Sequence, residues 1–223
     1  MLTPVRDADH MNLAIFDIDG TLIDSTAVDH ECFVDTFEAA FGISATGIDW
    51  RDYPHHTDRG LTEEFLRRAW KREPVEHEIA RHRELFVRAL RERIERLEEI
   101  GGAGAFIDFL QERGWSIALA TGAWSESALL KLTAAGLPSD LPLACCDACP
   151  SREEIVLKAI GDQRPERIVV FGDGWWDFRT ARKLGLPFIG VGDASGATDT
   201  IADFRDADAI ITSCEKAWRS PSG

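Results

Sequence analysis

Two aspartates, Asp17 and Asp19, directly follow the apolar run at residues 13–16, and Gly20 and Thr21 come after them. Such a run is typical of a buried strand, and glycine allows the sharp turn that must follow it. Ligands of open α/β sheets bind where such strands end. The first acid could act as a nucleophile and the second as an acid and base, and together they could help to hold a hard cation.

The elements that must position these acids alternate along the chain. Four apolar runs have the length and composition of parallel strands buried on both faces: residues 13–16, 116–120, 168–171 and 188–191. Helical patterns lie between them and end at glycines, which are favourable helix C-caps: Gly114, Gly136 and Gly185. Strands that alternate with helices predict a doubly wound α/β sheet.

The segment between the first two predicted strands breaks this alternation. Apolar residues recur there at helical spacing over 28–41 and 79–97, and no strand pattern is present. We therefore predict an all-helical insert at residues 25–100, while residues 1–24 and 101–223 form the α/β core domain.

Further polar side chains follow other predicted strands. Thr121 and Gly122 follow the second apolar run, and Asp173 and Asp177 follow the third. The carboxyl ends of parallel strands meet at one edge of a sheet, so we expect these residues to lie near Asp17.

A helix start brings a positive charge to the same region. Ser151 and Glu154 have the spacing of a capping box, which places Arg152 in the first turn of a helix near the sheet edge. Lys158, two turns further along, is the alternative cation.

In this order the residues resemble the four motifs of the haloacid dehalogenase-like superfamily. Residues 17–21 resemble the first motif, Thr121 the second, Arg152 the third and residues 172–177 the fourth. The predicted insert stands where that superfamily has its C1-type cap. The resemblance implies a Rossmann-like doubly wound parallel sheet with an inserted α-helical cap domain.

The resemblance also implies roles for the acids. Asp17 would attack phosphorus and form an aspartyl-phosphate, while Asp19 would protonate the leaving oxygen and then activate water. Mg²⁺ would be the cofactor, held by Asp17, the backbone carbonyl of Asp19 and Asp173, with Asp177 supporting that shell.

The phosphate-binding residues implied by the resemblance are Thr121, Gly122 and Arg152. Thr121 and the amides after it would hold phosphate oxygens, and Arg152 would neutralise charge on the phosphoryl group and on Asp17. The superfamily often has Lys followed by Pro at the third motif. This chain has no Lys-Pro, so either Arg152 or Lys158 could fill that role.

Asp19 separates the reaction classes of the superfamily. Its dehalogenases lack an acid at this position and its phosphonate-cleaving members replace it, so Asp19 favours a phosphate ester. We expect a phosphatase for a small phosphorylated metabolite, similar to phosphoglycolate or sugar phosphatases. A β-phosphoglucomutase-like phosphomutase is the close alternative. A non-catalytic phosphate-binding or regulatory protein on this fold, or a receiver domain, belongs to a different class.

A polar and aromatic stretch in the insert is the candidate for substrate selection. His55, His56 and Arg59 lie between two predicted helices and could contact the leaving group, although an ordinary helix connection would look the same. Trp175 and Trp176, beside the fourth motif, could wall the site or pack under the cap.

Bulk properties limit the partners. The chain has 223 residues and a formal net charge of −14, which argues against nucleic acid or an anionic membrane as the main partner. Its apolar runs are shorter than the roughly 20 residues that span a bilayer, and residues 1–12 do not look like a signal peptide. The oligomeric state is left open, with a monomer plausible.

Cysteine usage indicates the compartment. Five cysteines without a spaced disulfide pattern favour a reducing cytoplasm. Cys145, Cys146 and Cys149 include one C-x-x-C, which could bind zinc, act in redox chemistry or simply be buried as small apolar residues.

Overall fold

The computed structural model describes residues 11–45, 52–95, 97–193 and 196–219. Its strands are β1 (Asn12–Phe16), β2 (Ser116–Ala120), β3 (Leu143–Ala144), β4 (Arg167–Gly172), β5 (Phe188–Val191) and β6 (Thr200–Ile201). In the described residues these strands form one sheet in the order β3-β2-β1-β4-β5-β6, and every neighbouring pair is parallel. The predicted α/β sheet is therefore confirmed.

Helices connect these strands. They are α1 (Thr26–Phe41), α2 (Asp58–Trp70), α3 (Glu76–Arg93), α4 (Ala103–Glu112), α5 (Ser125–Ala135), α6 (Arg152–Ile160), α7 (Trp175–Leu184) and α8 (Ala207–Arg219). None of the helices in the described ranges is both long and apolar enough to cross a membrane.

Four elements were not predicted from the sequence, namely β3, β6, α2 and α8. Strands β3 and β6 have two residues each, which is too short to produce a periodic pattern. In the insert, the connection that we expected between two helices contains the start of a third helix, α2. Its sequence is rich in arginine and glutamate, which masks the apolar stripe of Leu61, Phe65 and Leu66.

The sheet is covered on both faces, as a doubly wound fold requires. Along β1, Leu13 and Ile15 pack with α6, α7 and the insert, whereas Ala14 and Phe16 pack with α4, α5 and α8. All four side chains are fully buried. Alternation of side chains across two buried faces explains why this strand is apolar throughout.

An aromatic pair holds the two central strands in register. Phe16 on β1 pairs with Phe171 on β4, and their rings stack with centroids 4.6 Å apart. Phe106 and Phe204 pack against both rings in the same apolar cluster. The residues that follow these phenylalanines, Asp17 and Gly172, therefore lie side by side at the carboxyl ends of β1 and β4.

The helical insert leaves the core and returns to it along one short ladder. Asp24 N donates to Glu98 O at 3.0 Å, and Ile100 N donates to Leu22 O at 2.8 Å. The insert between them consists of α1, α2 and α3. The division into a core and a cap domain at residues 24 and 101 stays a prediction.

A buried histidine lies at the centre of the insert. His82 on α3 is fully buried among aromatic rings that include Phe33 and Phe37. Its Nε2 is 3.2 Å from Thr36 Oγ1 and its Nδ1 is 2.8 Å from Thr62 Oγ1, so that it joins all three helices of the insert. Burial lowers the pKa of His82 from 6.5 to about 3.

This shift makes the protein sensitive to acid. The unfolded chain takes up a proton at His82 near pH 6.5 but the folded protein does not, so the free energy of unfolding falls as the pH drops below that value. Between pH 7 and pH 4.5, the free energy of unfolding measured in urea should fall by about 2 kcal/mol less in His82→Gln than in the wild-type protein. His77→Gln, on the exposed face of α3, is the control. Equal pH dependence in both variants would contradict the assignment.

Candidate active site

Strands β1 and β4 bring the first and fourth sequence motifs together. Asp17 N donates to Phe171 O at 3.0 Å, which continues the ladder by one residue beyond β1. The chain then turns at Gly20, whose φ of 77° is in the left-handed region. A side chain at Gly20 would also collide with the Asp173 carboxylate, so the close approach of the two loops requires glycine here.

Three carboxylates meet at this edge of the sheet. Asp17, Asp173 and Asp177 each offer an oxygen, and these oxygens lie within 4.8 Å of one another. Asp173 Oδ1 is buried and has no hydrogen-bond partner in the described part of the chain. An oxygen-only donor set of this kind, with one orphaned oxygen, fits a hard cation such as Mg²⁺.

Burial and mutual repulsion disfavour the charged form of these acids. Burial raises the pKa of Asp17 well above its usual range, and the Asp177 carboxylate adds to this while Arg152 opposes it. Burial and the Asp17 carboxylate raise the pKa of Asp173 to about 7. Burial raises the pKa of Asp177 to about 6, although Arg152 opposes the shift. The three acids need a positive charge beside them.

Arg152 supplies a positive charge from the start of α6. Its Nη1 pairs with Asp177 Oδ1 and lies 3.5 Å from Asp17 Oδ1. Helix α6 begins here because the Ser151 side chain caps it, accepting a hydrogen bond from Glu154 N at 3.3 Å. Lys158, the alternative cation, is exposed on α6 and does not line the cavity beside these acids.

The loop after β2 forms another side of the site. Thr121 Oγ1 accepts a hydrogen bond from Ala123 N at 3.1 Å, so the hydroxyl caps the turn. At Gly122 an added Cβ would lie 2.7 Å from Arg152 Nη2 and 2.9 Å from His56 O. Glycine is therefore needed for the guanidinium to reach this loop.

A cavity of about 190 Å³ joins these groups to the insert. The core lines it with Asp17, Asp19, Thr121, Gly122, Ala123, Arg152, Asp173 and Trp176. The insert lines it with Thr26, Asp29, His30, Phe33, His56, Thr57, Asp58 and Leu61. The cavity therefore has a polar floor and a mixed polar and apolar wall opposite it.

The start of α2 is bound directly to the core loops around this cavity. His56 O accepts from Arg152 Nε at 3.0 Å, and Thr57 Oγ1 donates to Pro150 O at 3.0 Å. Asp58 N donates to Gly122 O at 2.8 Å. These contacts hold the insert over the strand ends.

The three residues expected to select the substrate have different positions. His56 lines the cavity and stacks on Trp176, with ring centroids 5.3 Å apart. His55 lines a neighbouring crevice instead. Arg59 does not line the cavity, because it lies in the first turn of α2 and its guanidinium pairs with Glu63 at 2.8 Å and Glu76 at 2.6 Å.

The second acid of the first motif has partners that sequence reasoning missed. Asp19 Oδ1 accepts from Ser25 Oγ at 2.5 Å, and Asp19 Oδ2 accepts from Lys131 Nζ at 2.7 Å. Lys131 Nζ also donates to Asp29 Oδ1 at 2.6 Å. A single lysine in the apolar stretch 128–135 was the one sequence signal for this contact, because Asp29 resembles an ordinary first-turn acid.

The cysteine motif lies apart from the acid cluster. Cys146 is buried, whereas the Cys149 thiol donates to Glu154 Oε2 at 2.9 Å. In the described residues, the group whose geometry suits a metal ion is the acid cluster, and it contains no cysteine. Burial raises the pKa of Cys145, Cys146 and Cys149, which makes these thiols poor nucleophiles at neutral pH.

Solved structures share this fold at low sequence identity. A hydrolase from Pseudomonas syringae has a TM-score of 0.70 and 20% identity, over 89% of this chain and 97% of the other. CbbY from Rhodobacter sphaeroides in complex with phosphate has a TM-score of 0.67 and 22% identity, over 92% and 99%. A predicted phosphoglycolate phosphatase from Haemophilus somnus 129pt has a TM-score of 0.64 and 15% identity, over 93% and 99%.

Comparison of the sequence with family models is more specific than this similarity of fold. No curated protein matches the chain. A family model described as haloacid dehalogenase-like hydrolase matches residues 11–185, which include both strand-end acid pairs, Thr121 and Arg152. This match covers most of the sequence and contains all four motifs, so the chain belongs to the haloacid dehalogenase-like hydrolase family.

Proposed function

We propose that this protein is a Mg²⁺-dependent phosphatase that hydrolyses a small phosphorylated metabolite through an aspartyl-phosphate intermediate. The observation that carries the proposal is the position of Asp17. Its carboxylate lies on the floor of the cavity, beside the other acids of the cluster and 3.5 Å from Nη1 of Arg152. A nucleophile needs this placement to approach a phosphoryl group whose charge is neutralised on both sides.

The chain's own residues divide the work of the first step. Asp17 attacks phosphorus, while Arg152 and the loop at Thr121 and Gly122 orient the phosphoryl oxygens. Mg²⁺, when bound by Asp17, Asp173 and the backbone carbonyl of Asp19, with Asp177 in support, would offset the negative charge of substrate and acids.

Asp19 has the second role. Its side chain lines the same cavity as Asp17, on the side toward the insert. It would give a proton to the leaving oxygen and later take one from the water that hydrolyses the intermediate. These steps require an alcohol leaving group, which agrees with a phosphate ester as substrate.

The insert residues that line the cavity limit the chemical class of the leaving group. Asp29 and Asp58 line the cavity, and Asp58 is 7% exposed. In the described residues, the part of the wall that the insert supplies contains no lysine or arginine. Asp29 is paired with Lys131, burial and the Asp29 carboxylate raise the pKa of Asp58, and His30 and His56 lie in the same wall. Among the described residues, the wall therefore offers hydrogen-bonding groups but no permanent cation for a carboxylate or second phosphate, so we infer a leaving group that carries hydroxyl or amino donors.

This inference also favours hydrolysis over phosphoryl transfer between sugar positions. A phosphomutase must accommodate a second phosphate in its intermediate, and the described insert residues that line the cavity include no lysine or arginine to hold it. Product analysis with a hexose 1-phosphate separates the two reactions.

We propose the reducing cytoplasm as the compartment, in agreement with five unpaired thiols, and expect neither nucleic acid nor membrane as a partner.

The nucleophile can be tested by one substitution. Asp17→Asn removes the attacking carboxylate, so Mg²⁺-dependent phosphate release from a panel of monoesters should fall by at least about 10³-fold. Asp24→Asn, an exposed acid outside the cavity, is the matched control and should retain turnover. Failure of the wild-type protein to turn over any ester, an aryl phosphate included, would refute the proposed function.

The second acid can be tested through the leaving group. Asp19→Asn should lower kcat/KM for alkyl phosphates by about 10²-fold, because it removes acid catalysis of a difficult departure. The loss should be smaller for p-nitrophenyl phosphate, whose leaving group departs without a proton. The rise in Tm caused by Mg²⁺ should remain, because this residue would bind the ion through its backbone. Equal losses on both esters would show that Asp19 is not the acid.

Three two-carbon esters test the charge of the leaving group. Kcat/KM for 2-aminoethyl and 2-hydroxyethyl phosphate should exceed that for phosphoglycolate by about tenfold or more, since the carboxylate of phosphoglycolate would face Asp58. Asp58→Asn should reduce this preference. Asp35→Asn removes an exposed acid that pairs with Arg93, and should leave the preference as it is. A preference for phosphoglycolate would contradict the inferred class.

A further inference from the structure

Lys131 is a buried cation beside the proposed active site. It lies on α5, its side chain has no exposed surface, and its Nζ contacts both oxygens of Asp19 at 2.6 and 2.7 Å. The same Nζ is 2.6 Å from Asp29 Oδ1 on α1 of the insert. One ammonium group therefore joins an acid of the core to an acid of the insert.

The surroundings of this lysine keep it charged. Burial by itself would lower the pKa of Lys131, but the carboxylates of Asp19, Asp29 and Asp58 outweigh it and hold the pKa above its usual range. A buried ammonium is stable only when its donors are paired, and here the two carboxylates provide the partners. The ion pair is therefore a built feature of the interior.

The contact determines where the Asp19 carboxylate can lie. Asp17 and Asp173 lie on the cavity floor beside it, and repulsion from them would push an unpaired Asp19 away. Lys131 Nζ and Ser25 Oγ instead hold its two oxygens, while the Asp19 side chain remains 20% exposed toward the cavity. Lys131 itself does not line the cavity, so it can influence substrate only through its partners Asp19 and Asp29.

We propose that Lys131 is a positioning residue for the second acid. It holds Asp19 in the orientation needed for proton transfer, and it makes that orientation depend on the insert, because Asp29 belongs to α1. This role rests on the proposed function, since it matters only if Asp19 takes part in turnover.

A double-mutant cycle tests the proposal. In the wild-type background, Lys131→Met should lower kcat for an alkyl phosphate by about 30-fold or more while KM changes less than about threefold, because the residue does not touch substrate. In the Asp19→Asn background the same substitution should lower kcat by less than about threefold. Lys158→Met, exposed on α6, is the matched control and should change neither value.

An effect of Lys131→Met on folding must be distinguished from its effect on the position of Asp19. Lys131→Met leaves two half-buried acids without their cation, so the variant is used only where its circular dichroism and unfolding transition show a folded protein. Lys131→Met/Asp29→Asn removes one charge of each sign and carries the same cycle if the single variant does not fold. Equal kcat losses with and without Asp19 would overturn the positioning role. Absence of turnover in the wild-type protein would instead refute the phosphatase proposal.

Discussion

The arrangement of the site is governed by the repulsion between the carboxylates that the fold brings together at one edge of its sheet. The stacked pair Phe16 and Phe171 holds β1 and β4 in register, so that the acids after each strand must lie side by side. Burial makes their mutual repulsion stronger than it would be in water. Every other feature of the site, from the glycine turns to the buried cations, can be understood as a way to tolerate this proximity.

Two cations, the half-buried Arg152 and the fully buried Lys131, divide the acids between them, and both also join the insert to the core. Arg152 pairs with Asp17 and Asp177 and donates to His56 O, while Lys131 joins Asp19 to Asp29. Charge compensation and attachment of the insert are therefore achieved by the same side chains. An insert held in this way is coupled to the ionic state of the site, because a phosphoryl group or a metal ion would compete for the same partners.

The sequence predicted what depends on local pattern and missed what depends on tertiary contact. The strand-end acids and Arg152 could be placed because apolar runs and a helix cap have short-range signatures. The two-residue strands β3 and β6 have no such signature. Lys131 was missed for a different reason, since a lysine on a helix is usually solvated and only the packing of α1 against the core shows that it is buried.

The residue at which α2 begins determines which of its charged side chains lines the cavity. Thr57 is the N-cap, with its side chain accepting from Gly60 N at 3.1 Å. Successive helix residues point about 100° apart, so Asp58 turns toward the cavity and Arg59 turns toward Glu76. A start one residue later would rotate these directions and could bring a cation to the wall in place of a carboxylate. The position of one N-cap therefore determines which charge α2 presents to the cavity.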